Sequence, residues 1–124
     1  MTVKNEHRPS LGPARLAGAL RYSIAGFRHA TRHEAAFQQE VLVTLLLVPA
    51  ALLLPVPTLD RLILVLSMLL VIVVELLNSA IEATVDRISF ENHRLAKRAK
   101  DIGSAAVMLS IAAAAAVWLL VLVR

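Results

Sequence analysis

The sequence predicts an all-α membrane protein, with three transmembrane helices and an N-terminal amphipathic helix on the membrane surface. Three observations carry this reading. Hydrophobic residues make up 58% of the 124 residues, above the roughly 45–50% usual for soluble domains. Three runs approach or reach the length of about 20 mostly apolar residues that a spanning helix needs. The basic residues gather beside those runs. Six of the thirteen Lys and Arg precede His33, and five more lie from Arg87 to Lys100. A net charge of +4 could indicate nucleic acid, but charge flanking apolar runs fits anionic lipid headgroups better. The length suits a single integral-membrane domain over 1–124. The absence of cysteine excludes disulfides and thiolate metal sites, and leaves the redox compartment open.

The first element is the surface helix, about 13–32. Leu16, Leu20, Ile24 and Phe27 recur at helical spacing, with Arg21, Arg28 and Arg32 along the flank. An apolar stripe edged by arginine suits a helix lying in the membrane interface. Whether it only anchors the chain or also serves a site is left open by the residues. No early apolar core or cleavage site of a signal peptide is seen ahead of it.

The first span runs about 37–54, and Thr44 is the one polar residue in Val41–Leu54. Pro49 within it predicts a bend. "PVPTLDR", Pro55–Arg61, is too short for a domain and reads as a tight turn. The second span runs about 62–85 and is apolar, apart from Ser67, until Glu75. The third, about 102–123, carries no charge. The basic N-terminal segment and the basic Arg87–Lys100 loop belong on the cytoplasmic side by the positive-inside rule. That places the N-terminus inside and the C-terminus outside.

The second span ends in "ELLNSAIEATVDR", Glu75–Arg87. At 3.6 residues per turn, Glu75, Asn78, Ser79, Glu82 and Asp86 fall within about 100° of arc. Ionised carboxylates within a bilayer are costly, so such a stripe has to face protein, water or a cation. It could be interhelical glue whose outer charges emerge at the interface, or it could be a site. Glu75 lies two turns deeper than Glu82 and carries the functional reading furthest. Glu34 and Glu40, in "RHEAAFQQE", bracket the cytoplasmic start of the first span. Two or three carboxylates at one membrane level suit Mg²⁺, which takes one or two carboxylates together with substrate phosphates and water. In "RAKDIGSAAV", Lys100 could hold a phosphate as a point charge. Asp101 could cap a helix or orient Lys100.

Soluble nucleotide-binding signatures are absent. There is no GxxxxGK[ST], and Gly12, Gly18, Gly26 and Gly103 form no glycine-rich loop. HExxH is absent as well, so phosphate chemistry would rest on carboxylate-held metal and basic side chains.

"EAAFQQE" (Glu34–Glu40), "ELLNSAIEATVDR" and "RAKDIGSAAV" (Arg98–Val107) resemble, in order and spacing, the three signature blocks of the bacterial integral-membrane diacylglycerol kinase family. The resemblance covers about Arg15 to Arg124. It implies an ATP-dependent lipid kinase of the bacterial inner membrane, a trimeric helical bundle of three-span subunits unrelated to soluble kinases. By the same resemblance Glu75 is the catalytic base for the lipid hydroxyl, and Glu34 and Glu82 are Mg²⁺ ligands that also lie against ATP. Arg15, Tyr22, Glu91, Asn92, His93, Lys100 and Asp101 match ATP-binding positions. Arg15, Asn78 and Ser104 join Glu75 around the lipid. The chain departs from the family pattern at His33, where Asn is common, and in the basic "SFENHRLAK" loop, Ser89–Lys97. Diacylglycerol is the implied acceptor, with undecaprenol or another lipid alcohol as the alternative. Two other classes are distinguishable by experiment. An ion-coupled transporter subunit would use Glu75 as a proton carrier and consume no ATP. A structural or regulatory membrane protein would be unimpaired by Glu75→Gln.

Overall fold

The computed structural model describes residues 12–88 and 93–124, and all of its regular structure there is helical. Four helices follow in order: α1 (Pro13–His33), α2 (Ala35–Leu53), α3 (Thr58–Ile88) and α4 (Arg94–Val123). The last three are each long and apolar enough to cross a membrane.

Helix α1 starts where Gly12, at φ +79°, turns the chain and Pro13 supplies a ready-made first helical φ. It ends with Arg32 and His33 in its last turn, where cations complement the helix dipole. A single extended residue, Glu34 (φ −107°, ψ 105°), separates α1 from α2. Its N–H closes α1 on the Ala30 carbonyl at 3.0 Å, and its own carbonyl accepts from Gln38 N–H at 3.0 Å. The Gln38 side chain also reaches back to the Thr31 carbonyl at 2.9 Å. Ala30, Phe37 and Ile72 pack beneath this elbow, with Val41 and Leu76 alongside.

Helix α2 runs through Pro49 as one helix. The turn into α3 is shorter than the sequence predicts, because α3 already begins at Thr58. Arg61, one turn into α3, ties that turn down by donating to the carbonyls of Leu54 (3.0 Å) and Val56 (3.4 Å).

Helix α3 is the central element. Asp60, Leu64, Met68, Val71, Ile72, Glu75 and Asn78 form its buried stripe, which packs against α4 and α2. In lipid, helix association rests on close packing and interhelical hydrogen bonds rather than on the hydrophobic effect. Trp118 Nε1 accordingly donates to Ser67 Oγ at 3.2 Å, and Arg124 pairs with the buried Asp60 at 2.6 Å. The small residues of α4 serve the same packing. The spacing Ala106–Ser110–Ala114 predicts close helix approach, and the structure places Gly103, Ser110 and Ala114 in that role while Ala106 stays exposed. Ala114 meets Met68 and Val71, so this stripe closes α3 on α4 within one chain.

At about 1.5 Å per residue, the 31 residues of α3 and the 30 of α4 exceed the roughly 30 Å of a bilayer core. The helix that carries the third span therefore begins eight residues before Ile102. Lys100 and Asp101 sit two turns inside it, not at its start.

Candidate functional site

The polar end of α3 is held by its neighbours. Glu75 is 4% exposed and Asn78 8%. Glu40, Glu82 and Glu34 are the carboxylates whose charges act on Glu75, so acidic groups from the α1–α2 elbow, α2 and α3 converge on one level. Among the described residues no hydrogen bond reaches the Glu75 carboxylate, and its oxygens are not among the fully enclosed polar atoms without a partner, which are Arg61 Nε and Asn78 Oδ1. Glu75 is thus surrounded by protein yet open at its carboxylate.

One turn on, Asn78 Nδ2 donates to Glu82 Oε1 at 3.3 Å. The other end of that amide lies against α4 at Gly103. Glu82 is half-buried. Glu34 faces elsewhere around α3. It lines a groove of about 480 Å³ with Ser23, His29, Leu76, Ser79 and Ala83. A pair of hard carboxylate oxygens is too small a set for a freestanding metal cage, and among the described residues no three His, Asp or Glu side chains gather into one. Glu34 and Glu82 line different sides of α3, and each offers the hard carboxylate oxygen that Mg²⁺ takes one or two of, beside phosphate and water.

The basic residues are arranged differently from the sequence expectation. Lys100 is paired with Asp86 across the α3–α4 seam at 2.5 Å. Asp101 neither caps a helix nor orients Lys100: it pairs with Lys97 one turn back, at 2.7 Å. Neighbours on a helix point about 100° apart, whereas residues four apart share a face. His93 is the N-cap of α4, its Nδ1 accepting from Leu95 N–H at 3.0 Å. Ser104 is exposed on α4. Arg15 and Tyr22 are exposed on α1, with the Arg21 guanidinium 5.5 Å from the Tyr22 ring centre. Glu91 and Asn92 lie outside the described residues.

The structure therefore brings Glu34, Glu75, Asn78, Glu82 and Lys100 to one end of the helical assembly. It adds Asp86, the partner of Lys100, and Glu40, a further charge beside Glu75. Asp86 was visible on the polar stripe of α3, and Glu40 in the block that opens the first span. The contact of Gly103 with Asn78 had no sequence signal beyond a glycine in an apolar helix.

A family profile described as prokaryotic diacylglycerol kinase matches residues 21–122. The chain is similar to the diacylglycerol kinase of Pseudomonas aeruginosa, 49% identical over 111 residues that cover 90% of each chain. It is equally similar to that of Escherichia coli K12, 49% identical over 90% of this chain and 91% of the relative. The diacylglycerol kinase of Haemophilus influenzae is 38% identical over 86% of this chain and 91% of its own.

Proposed function

The chain belongs to the prokaryotic diacylglycerol kinase family, and from that premise we propose how its residues perform an ATP-dependent lipid phosphorylation. The reaction transfers the γ-phosphoryl group of ATP to the hydroxyl of diacylglycerol. The hydroxyl oxygen bonds to the γ-phosphorus, the bridge to the β-phosphate breaks, and phosphatidic acid and ADP leave. Phosphoryl transfer asks a protein mainly for positioning and charge neutralisation.

Glu75 acts as the base that receives the hydroxyl proton. The observation that carries this role is its state in the fold: 4% exposed, unbonded within the described chain, and on the same helix face as Glu82. A lipid hydroxyl approaching from the bilayer meets Glu75, while nucleotide arriving from water meets Glu82 and Glu34 first. Those two carboxylates would hold Mg²⁺, which would supply charge neutralisation for phosphate oxygens. Asn78 fixes Glu82 by its amide N–H. Lys100 exchanges Asp86 for a phosphate oxygen. Arg15, Tyr22, Glu91, Asn92, His93 and Asp101 complete the nucleotide contacts, and Arg15 and Ser104 lie along the lipid.

The enzyme works in the bacterial inner membrane as a homotrimer, its N-terminus cytoplasmic and its C-terminus outside. The clustering of Lys and Arg at the α1 and α3–α4 ends supports that orientation. Helix α1 lies on the cytoplasmic surface. Leu16, Leu20, Ile24 and Phe27 are each at least 50% exposed, which leaves an apolar stripe for lipid.

The test is phosphorylation by purified protein, with diacylglycerol and undecaprenol as competing acceptors and labelled γ-phosphate. Diacylglycerol is expected to be the faster acceptor. Preference for undecaprenol would replace the substrate, and transfer to neither would overturn the kinase reading.

A further inference from the structure

The seam between α3 and α4 closes on one glycine. Gly103 is buried beside Asn78. A Cβ at Gly103 would overlap the Asn78 amide oxygen and stand 3.3 Å from its Cγ, but 4.0 Å from its Cβ. The clash is therefore with the amide alone. The nitrogen of that amide donates to Glu82 Oε1 at 3.3 Å. Its oxygen is buried without a hydrogen-bond partner, and the residue is 8% exposed.

The nitrogen of the amide is thus bonded, and its oxygen is held only by its fit against α4. An ionised carboxylate only accepts hydrogen bonds, so the nitrogen must face Glu82. The oxygen then has to lie against α4, where a glycine offers Cα hydrogens, weak donors, and no bulk. Any larger residue at 103 would turn the amide and break its bond to Glu82.

We propose that Gly103 is a positioning residue for the kinase reaction. Its missing side chain sets the Asn78 amide, and the amide in turn aims Glu82 at the magnesium–nucleotide complex. The inference rests on the reading of Glu82 as a metal ligand. It differs from a packing role in a measurable way. Alanine is a better helix former than glycine, so Gly103→Ala favours α4 itself, and the cost falls on Glu82.

The experiment is a double-mutant cycle on the full chain in detergent micelles. The dissociation constant of the Mg²⁺ complex of a non-hydrolysable ATP analogue is measured for wild type, Gly103→Ala, Asn78→Ala, the double variant and Glu82→Gln. Thermal midpoints and the KM for diacylglycerol are measured beside it. Gly103→Ala should raise the dissociation constant roughly tenfold, the scale of a hydrogen bond to a charged group. It should leave the midpoint in place and change the diacylglycerol KM less than the nucleotide dissociation constant. In the Asn78→Ala background it should add nothing, because the amide it displaces is gone. Unchanged nucleotide binding in Gly103→Ala would overturn the proposal, as would an equal loss in both backgrounds. Should Gly103→Ala fail to fold, the double variant is expected to fold, and its failure too would assign Gly103 to backbone packing instead. Wild-type binding by Glu82→Gln would sink the ligand reading and this inference with it. Weak binding by Glu82→Gln with normal binding by Gly103→Ala would sink this inference alone.

Discussion

Glu75→Gln isolates the proposed base with the least structural disturbance. It exchanges one carboxylate oxygen for an amide group and keeps the side-chain length. That matters because Glu75 is 4% exposed, and a shorter residue would leave a cavity beside Ile72 and Asn78. Gln cannot take the proton of the lipid hydroxyl. A positioned general base is worth roughly 10²–10⁴ in rate, or about 2.7–5.4 kcal/mol of transition-state stabilisation at about 1.36 kcal/mol per decade. The fold should not weaken. Glu75 makes no hydrogen bond among the described residues, so the exchange breaks none. The thermal midpoint is expected to hold. Turnover is measured as phosphatidic acid formed in mixed micelles at saturating Mg–ATP and diacylglycerol. Nucleotide affinity is measured separately with a non-hydrolysable analogue and should change little. Glu75→Asp retracts the carboxylate by one methylene, and a misplacement of about 1 Å can cost about 100-fold, so it too should be slow. Normal turnover by Glu75→Gln, or a loss traced wholly to nucleotide binding, would refute the assignment of the base.

Three further outcomes follow from the same geometry. Glu34→Gln and Glu82→Gln should each weaken Mg–ATP binding and activity together. A titration of rate against Mg²⁺ that matched wild type would remove that residue from the ligand set. Lys100→Met should raise the dissociation constant for Mg–ATP about tenfold or more, as loss of a charge-assisted bond to phosphate. Asp86→Asn should leave the thermal midpoint in place, since exposed ion pairs contribute little, and should not weaken nucleotide binding. Calorimetric titration of the two variants separates a phosphate ligand from a structural salt bridge. At the opposite end, Arg124→Gln removes the partner of the buried Asp60. It should cost about 0.5–1 kcal/mol, seen as a lower thermal midpoint with unchanged KM values. A shifted KM for ATP would show that the two ends of the fold are coupled.

The helices were legible because apolar runs of spanning length leave a chain in lipid little alternative. Their ends were less so. The α1–α2 elbow falls on Glu34, with no glycine or proline to mark it. It is set by Gln38 reaching back to Thr31 and by the packing of Ala30 on Phe37, residues seven apart that share a face of a continuous helix but lie about 10 Å apart along it. The start of α4 was read too late because its first turns are charged. Arg, Leu, Ala and Lys are strong helix formers, so the helix continues past the bilayer level where apolar character stops. The acidic stripe of α3 could be read from spacing alone. The partners of its members could not, because Lys100 pairs with Asp86 fourteen positions away rather than with its neighbour in sequence.

The burial pattern also changes what an oligomer has to do. Three thin spans should leave a polar stripe facing lipid, and that expectation argues for assembly by shielding. One chain already shields the deepest part of the stripe, since α4 and α2 cover Glu75 and Asn78. What one chain leaves uncovered lies elsewhere. Glu40 is half-buried and lines an open groove of about 350 Å³ with Leu47, Val71, Ile111, Ala115 and Trp118, between α2, α3 and α4. A carboxylate on an otherwise apolar wall is a poor surface to present to lipid tails. The small-residue stripe of α4 is occupied by α3 of the same chain and is not free to recruit a neighbour. The case for the proposed trimer therefore moves from α3 to the groove that Glu40 shares with α4, where a second copy of the chain would remove a charge from lipid.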